Sequence, residues 1–222
     1  MNTYISSALT AIIAASALFA STSTFAVEGN MHRYTVTVTN ITRGQVLAPP
    51  AVIVHNEGYK LFDLGKPASQ GLAKLAEEGD GSWLLSDAGA SPFVMGTASG
   101  SGPIMPGASA TIEITTSKKF SSVSVAAMLV TTNDGFMAVR DVQIPSSGGI
   151  IAEAEAYDAG SEANSESCKY IPGPPCGQHV HDMSAGEGYV HIHAGIHGIG
   201  DLTPSMHDWR GAVAQVEIKR ID

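Results

Sequence analysis

From Arg33 to Asn40 the chain alternates without a break: Tyr34, Val36 and Val38 are apolar, and Thr35, Thr37 and Thr39 are polar. Side chains on an extended strand point to opposite faces with period two, so this segment reads as a strand with one buried and one wet face. β-Branched residues fit that pleated surface better than a helix, where their χ1 freedom is lost. The signature recurs down the chain. Ala110, Ile112 and Ile114 share one face, as do Val123, Val125, Ala127 and Leu129. Met137–Ile144 and Ile150–Tyr157 continue the series, and Tyr189–His193 and then Ala212, Ala214, Val216 and Ile218 close it. Val46–Val54 is a further apolar run, broken by Pro49 and Pro50, which mark an edge or a bend. Many short strands separated by turn signals predict an all-β antiparallel sandwich rather than βαβ units.

One segment changes period. Leu72, Leu75 and Ala76 lie on one helical face, Ser69 suits an N-cap and Gly79 ends the run, so a short helix is predicted over Ser69–Glu78. Gly89–Gly107 is rich in Gly, Ser and Pro and reads as a long loop or two hairpins. With no internal repeat and no linker, the chain after its leader is expected to form one domain.

That leader is Ile5–Ala20, an uncharged apolar run followed by small polar residues, with Thr24 and Ala26 at the positions a signal peptidase reads. The run is shorter than the roughly 20 residues a membrane-spanning helix needs. A signal peptide over 1–26 is therefore expected, leaving a mature chain from Val27 to Asp222 with no transmembrane segment. Export to the periplasm or the extracellular space agrees with the cysteines. Cys168 and Cys176 flank a Pro/Gly loop and are expected to pair as a disulfide, a thiolate metal pair being the alternative. The formal charge of −9 disfavours nucleic acid as a partner.

Two loops stand out chemically: Thr131-Thr132-Asn133-Asp134-Gly135 and Tyr157-Asp158-Ala159-Gly160-Ser161-Glu162. Between Glu153 and Glu166 there are five acidic residues (153, 155, 158, 162 and 166) and no basic one. Crowded carboxylates repel unless a cation sits among them, and Ca²⁺, which takes six to eight oxygen ligands in flexible geometry, suits loops of this kind. Asp-Gly and Asp-Ala-Gly are also ordinary turn sequences, because both residues tolerate turn backbone angles.

The order Asn133-Asp134-Gly135-Phe136-Met137-Ala138-Val139, strand, Glu155-Ala156-Tyr157-Asp158-Ala159-Gly160-Ser161-Glu162 resembles the spondin domain family, and the likeness runs over most of Tyr34–Ile218. The resemblance implies a C2-like β-sandwich that binds one calcium ion through such loops. Matched residue by residue, Asp134 and Asp158 fall on the family's loop aspartates. Glu162 stands where animal members carry a second aspartate, and reaches one methylene further. Animal spondin domains sit in matrix proteins, so the resemblance also implies a non-enzymatic adhesion or binding module with an extracellular or cell-surface ligand.

Six of the eight histidines fall between His179 and His207. His179 and His181, and His191 and His193, are spaced to share a strand face, and His197 follows in a glycine-rich turn. These five are the alternative metal set, for Cu²⁺ or Zn²⁺ in a periplasmic metal-binding protein. Alternatively they form a hydrogen-bonded structural cluster. Val190–His193 is slightly similar to the copper-ligand strand of copper–zinc superoxide dismutases, but that family's bridging-histidine region and His-Phe-Asn-Pro segment have no counterpart, so dismutation is not expected. The chain has no Gly-x-Ser-x-Gly elbow and no phosphate-binding loop before a Lys, Glu153 and Glu155 read as a solvated strand face, and Trp83 and Trp209 as core aromatics. No enzyme activity is expected.

Overall fold

The structure, a computed structural model, describes residues 31–178 and 180–222. The expected signal peptide and His179 lie outside the described residues. In chain order the elements are β1 (His32–Asn40), β2 (Ala51–His55), α1 (Gln70–Glu78), α2 (Ser82–Gly89), β3 (Val94–Ser99), β4 (Ser109–Thr116), β5 (Ser122–Met128), β6 (Gly135–Gln143), β7 (Gly149–Asp158), β8 (His191–Ile192), α3 (Pro204–His207) and β9 (Ala214–Arg220). The strands pair antiparallel in the order β3-β2-β5-β6-β7-β9-β1-β4, with β8 appended to β7. This is the all-β antiparallel fold that the alternation predicts.

β7 is split between two neighbours. Gly149–Ala154 pairs with β9, whereas Glu155–Asp158 pairs with β6. The sheet therefore folds over on itself along β7, and the inward residues of the two halves meet in one core. Tyr34, Val36 and Val38 of β1, Val216 and Ile218 of β9, and Val123 and Val125 of β5 belong to it. Removing such a side chain from water contributes about 1.5–3 kcal/mol. The opposite face of the β2–β5–β6 half carries Ala51, Ile53, Ala126, Phe136 and Ala138, and is covered by Leu72, Leu75 and Ala76 of α1 and Leu84 and Ala88 of α2.

α1 has the predicted caps: the Ser69 hydroxyl accepts from the Leu72 N–H, and Gly79 adopts the left-handed conformation at the C-terminus. Among the described residues three helices are present rather than one. α2 was hidden because glycines stand at its two ends and its apolar residues Trp83, Leu84 and Leu85 are adjacent rather than helically spaced, and part of the supposed loop after it, Val94–Ser99, is the edge strand β3. Trp83 stands half exposed on α2 instead of in the core. Cys168 and Cys176 form a disulfide. Among the described residues no helix is long and apolar enough to cross a membrane.

Candidate metal centre

β6 and β7 bring the two acidic loops together. Gly135, first residue of β6, is paired with Asp158, last residue of β7, so Asp134 and Asp158 emerge at the same end of neighbouring strands. The turn before β6 is tight. The Thr132 hydroxyl accepts from the Gly135 N–H at 2.9 Å and donates to Leu129 O at 2.6 Å. A Cβ at Gly135 would stand 2.6 Å from Thr132 Oγ1 and 2.9 Å from His193 Cδ2, which explains the Asp-Gly order there. Gly160 answers to two demands at once: its φ is +67°, and a Cβ would lie 2.4 Å from the Tyr189 carbonyl oxygen.

Asp134 is fully buried. Its Oδ2 accepts from the Ser161 N–H at 2.7 Å and the Glu162 N–H at 3.0 Å, while Ala159 N–H donates to its carbonyl. Its Oδ1 is also buried and has no donor. Burial first, and the Asp158 charge second, push the Asp134 carboxyl up to about 7 against the pull of these N–H groups. Asp158 is fully buried too. Its Oδ1 accepts from the Gly160 N–H at 2.7 Å and its Oδ2 from Asn164 Nδ2 at 2.5 Å. Burial raises its carboxyl above the usual range, while those two donors work the other way.

Glu162 joins the pair through its backbone only. Its N–H holds Asp134, but its carboxylate engages His181 Nδ1 at 3.0 Å and the Asp182 N–H at 3.2 Å, with Oε2 buried and donorless. Burial raises its carboxyl as well. The other members of the acidic run have separate duties. Glu153 and Glu155 are exposed on β7, as expected of a solvated face. Glu166 accepts from the N–H groups of His197, Gly198 and Ile199 and so fixes that turn.

The described histidines occupy separate places. His181 sits among Glu162, Glu77 and Glu78. His191 lies 3.7 Å from Asp158 and 3.8 Å from Glu187, and these three offer ligand atoms within 4.8 Å of one another. His193 is buried against Trp209, with ring centroids 5.0 Å apart; its Nδ1 accepts from Gly195 N–H, its Nε2 has no partner, and burial pulls it down to about 4. His197 is exposed. The 191/193 face is thus the inward one, and Ile192, between them, is out in solvent. Among the described residues, each group of three or more metal-capable side chains contains one imidazole.

Sequence reasoning passed over Asn164, Glu187, Glu77 and Glu78. Asn164 and Glu187 reach Asp158 from irregular chain with no repeating spacing, and Glu77 and Glu78 look like the polar face of an amphipathic helix. No protein-family model matches the chain, and no curated protein matches it.

Proposed function

We propose that the chain is an exported, non-enzymatic binding module in which a calcium ion ties the Asp134 turn to the Asp158 turn. The observation that carries this reading is the Asp134 carboxylate: wholly buried, beside a second buried aspartate, with one oxygen capped by two N–H groups and the other given no donor. Two such carboxylates repel, and an unpaired buried acceptor is costly. A hard divalent ion removes both problems by accepting the free lone pairs. Asp134 and Asp158 would be the ligands, and Ser161 and Glu162 would position Asp134 through their N–H groups.

The resemblance of Asn133–Val139 and Glu155–Glu162 to the spondin domain supports the same ion at the same residues, and supports adhesion to an extracellular or cell-surface partner as the task. Export is supported by the Cys168–Cys176 disulfide, a bond favoured in oxidising compartments. Calcium modules outside the cell work at about 0.1–1 mM, which suits an ion that stiffens loops rather than signals. The test is thermal unfolding of the purified protein in EDTA and in calcium. Calcium is expected to raise the melting temperature of the natural protein and to leave Asp158→Ala unmoved. An unchanged curve for the natural protein in about 10 mM calcium, roughly ten times the weakest affinity expected, would overturn the proposal.

A further inference from the structure

A pocket of about 310 Å³ opens beside the C-terminal end of α1, and Glu77, Glu78, Asp80, Glu162 and His181 are among its lining residues. Carboxylates meet both ring nitrogens of His181. Nδ1 is 3.0 Å from Glu162 Oε1 and 3.3 Å from Glu77 Oε2, and Nε2 is 3.1 Å from Glu78 Oε1. One ligand atom each from Glu77, Glu78 and His181 lies within 4.8 Å of the other two, a span that one ion can bridge. The Glu162 side chain is only 4% exposed, and its buried Oε2 meets no donor.

A neutral imidazole carries one N–H, so it cannot satisfy carboxylates at both nitrogens. An imidazolium would do so, but would set four carboxylates of the pocket against one imidazolium and Lys74. Lys74 is itself bonded to Oε1 of Glu78, which leaves Oε2 of that residue free. We infer that this pocket is a metal site separate from the aspartate pair, built for a divalent ion of the zinc class. Glu77, Glu78 and Nε2 of His181 are the ligands. Glu162 is a positioning residue: its Oε1 takes the Nδ1–H proton of His181, fixing the tautomer that leaves Nε2 free to coordinate, an arrangement common behind metal-bound imidazoles. The nitrogen donor sets the preference, because imidazole suits zinc-like ions while calcium takes oxygen. The pocket mouth leaves further coordination positions to water or to a ligand's oxygen.

The test is calorimetric titration of the purified chain with Zn²⁺ in the presence of about 5 mM Ca²⁺, enough to fill an extracellular-type calcium site, together with ¹⁵N-histidine spectra. One zinc per chain is expected to bind, to shift the Nε2 resonance of His181, and to resist the calcium. His181→Ala should abolish that binding while retaining the calcium-dependent rise in melting temperature. Glu162→Gln should weaken zinc by about 10–100-fold without removing it. Should His181→Ala fail to fold, the Glu77→Gln/Glu78→Gln double variant serves in its place. The inference is overturned by absence of zinc binding in the natural chain, by undiminished binding in these variants, by calcium displacing the zinc, or by an Nε2 resonance of His181 that does not move in saturating zinc. Loss of the zinc in His191→Ala with retention in His181→Ala would equally overturn it, since the ion would then sit with Asp158 and Glu187.

Discussion

Asp134→Asn separates a cation site from an ordinary turn, because the two accounts predict opposite signs. In the natural protein without calcium, Asp134 Oδ1 is buried without a donor and stands beside the Asp158 charge. Asparagine has nearly the same shape. Its amide oxygen can keep the Ser161 and Glu162 N–H bonds, and its NH₂ then takes the place of the donorless oxygen. Leaving such a group unmet costs about 1–3 kcal/mol, so Asp134→Asn should be more stable than the natural protein in EDTA by about that amount. For a domain of this size that is roughly 3–10 °C in melting temperature. With calcium the order changes. At about 10 mM ion and an affinity of about 0.1–1 mM, binding stabilises the natural protein by about 1.4–2.7 kcal/mol, which the variant forgoes. Melting curves of both proteins in EDTA and in calcium, followed by far-ultraviolet circular dichroism, give all four values. A variant that is less stable than the natural protein in EDTA and still gains the full calcium shift would refute the reasoning.

Three further outcomes follow from the fold. Gly160→Ala should destabilise by roughly 2 kcal/mol or more in urea unfolding, because it combines a left-handed backbone position with a Cβ 2.4 Å from the Tyr189 carbonyl; a loss under about 0.5 kcal/mol would contradict the close packing of these loops. Replacing Cys168 and Cys176 by serine should cost about 2–3 kcal/mol, the loop-closure entropy of so short a ring, and an unchanged urea midpoint would argue against it. His193, held down to about 4 by burial, stays neutral in the fold while the unfolded chain titrates near 6.5. Its contribution is therefore complete above about 6.5 and is lost as pH falls toward 4, about 2 kcal/mol between pH 7.5 and 5. His193→Gln should show a correspondingly smaller acid loss, and an equal loss in both proteins would exclude His193 as its source.

The strands were legible because their alternation is a local property. Tyr34, Val36 and Val38 announce their buried face whatever they pack against, and all three are in the core. α1 was equally plain from Ser69, its apolar face and Gly79. α2 was not, since Ser82–Gly89 buries only Leu84 and Ala88 and therefore shows little periodicity. At the site, the Asp134 and Asp158 turns could be read because each is a compact run of Asp and Gly between two strands. What lay beyond reach was which residues return to them. Among the described residues, 161–178 and 180–190 hold no helix or strand, so the placement of Glu187 beside Asp158, or of His181 against α1, depends on loop packing rather than on spacing. The His191–His193 pair is a related case. Equal spacing placed His191 and His193 on one face, but one meets a carboxylate rim and the other an indole.

β7 has a mechanical consequence. Among the described residues it is the strand whose ladders join the β3-β2-β5-β6 half to the β9-β1-β4 half. It therefore works as an isthmus: a load passed from one half of the sheet to the other runs through its backbone hydrogen bonds, with side-chain packing, the connecting loops and the isolated bridges of Leu47 to Ile104 and Leu129 as parallel paths. Asp158 is its terminal residue, so a clamp closed there would brace the bridge between the two shores.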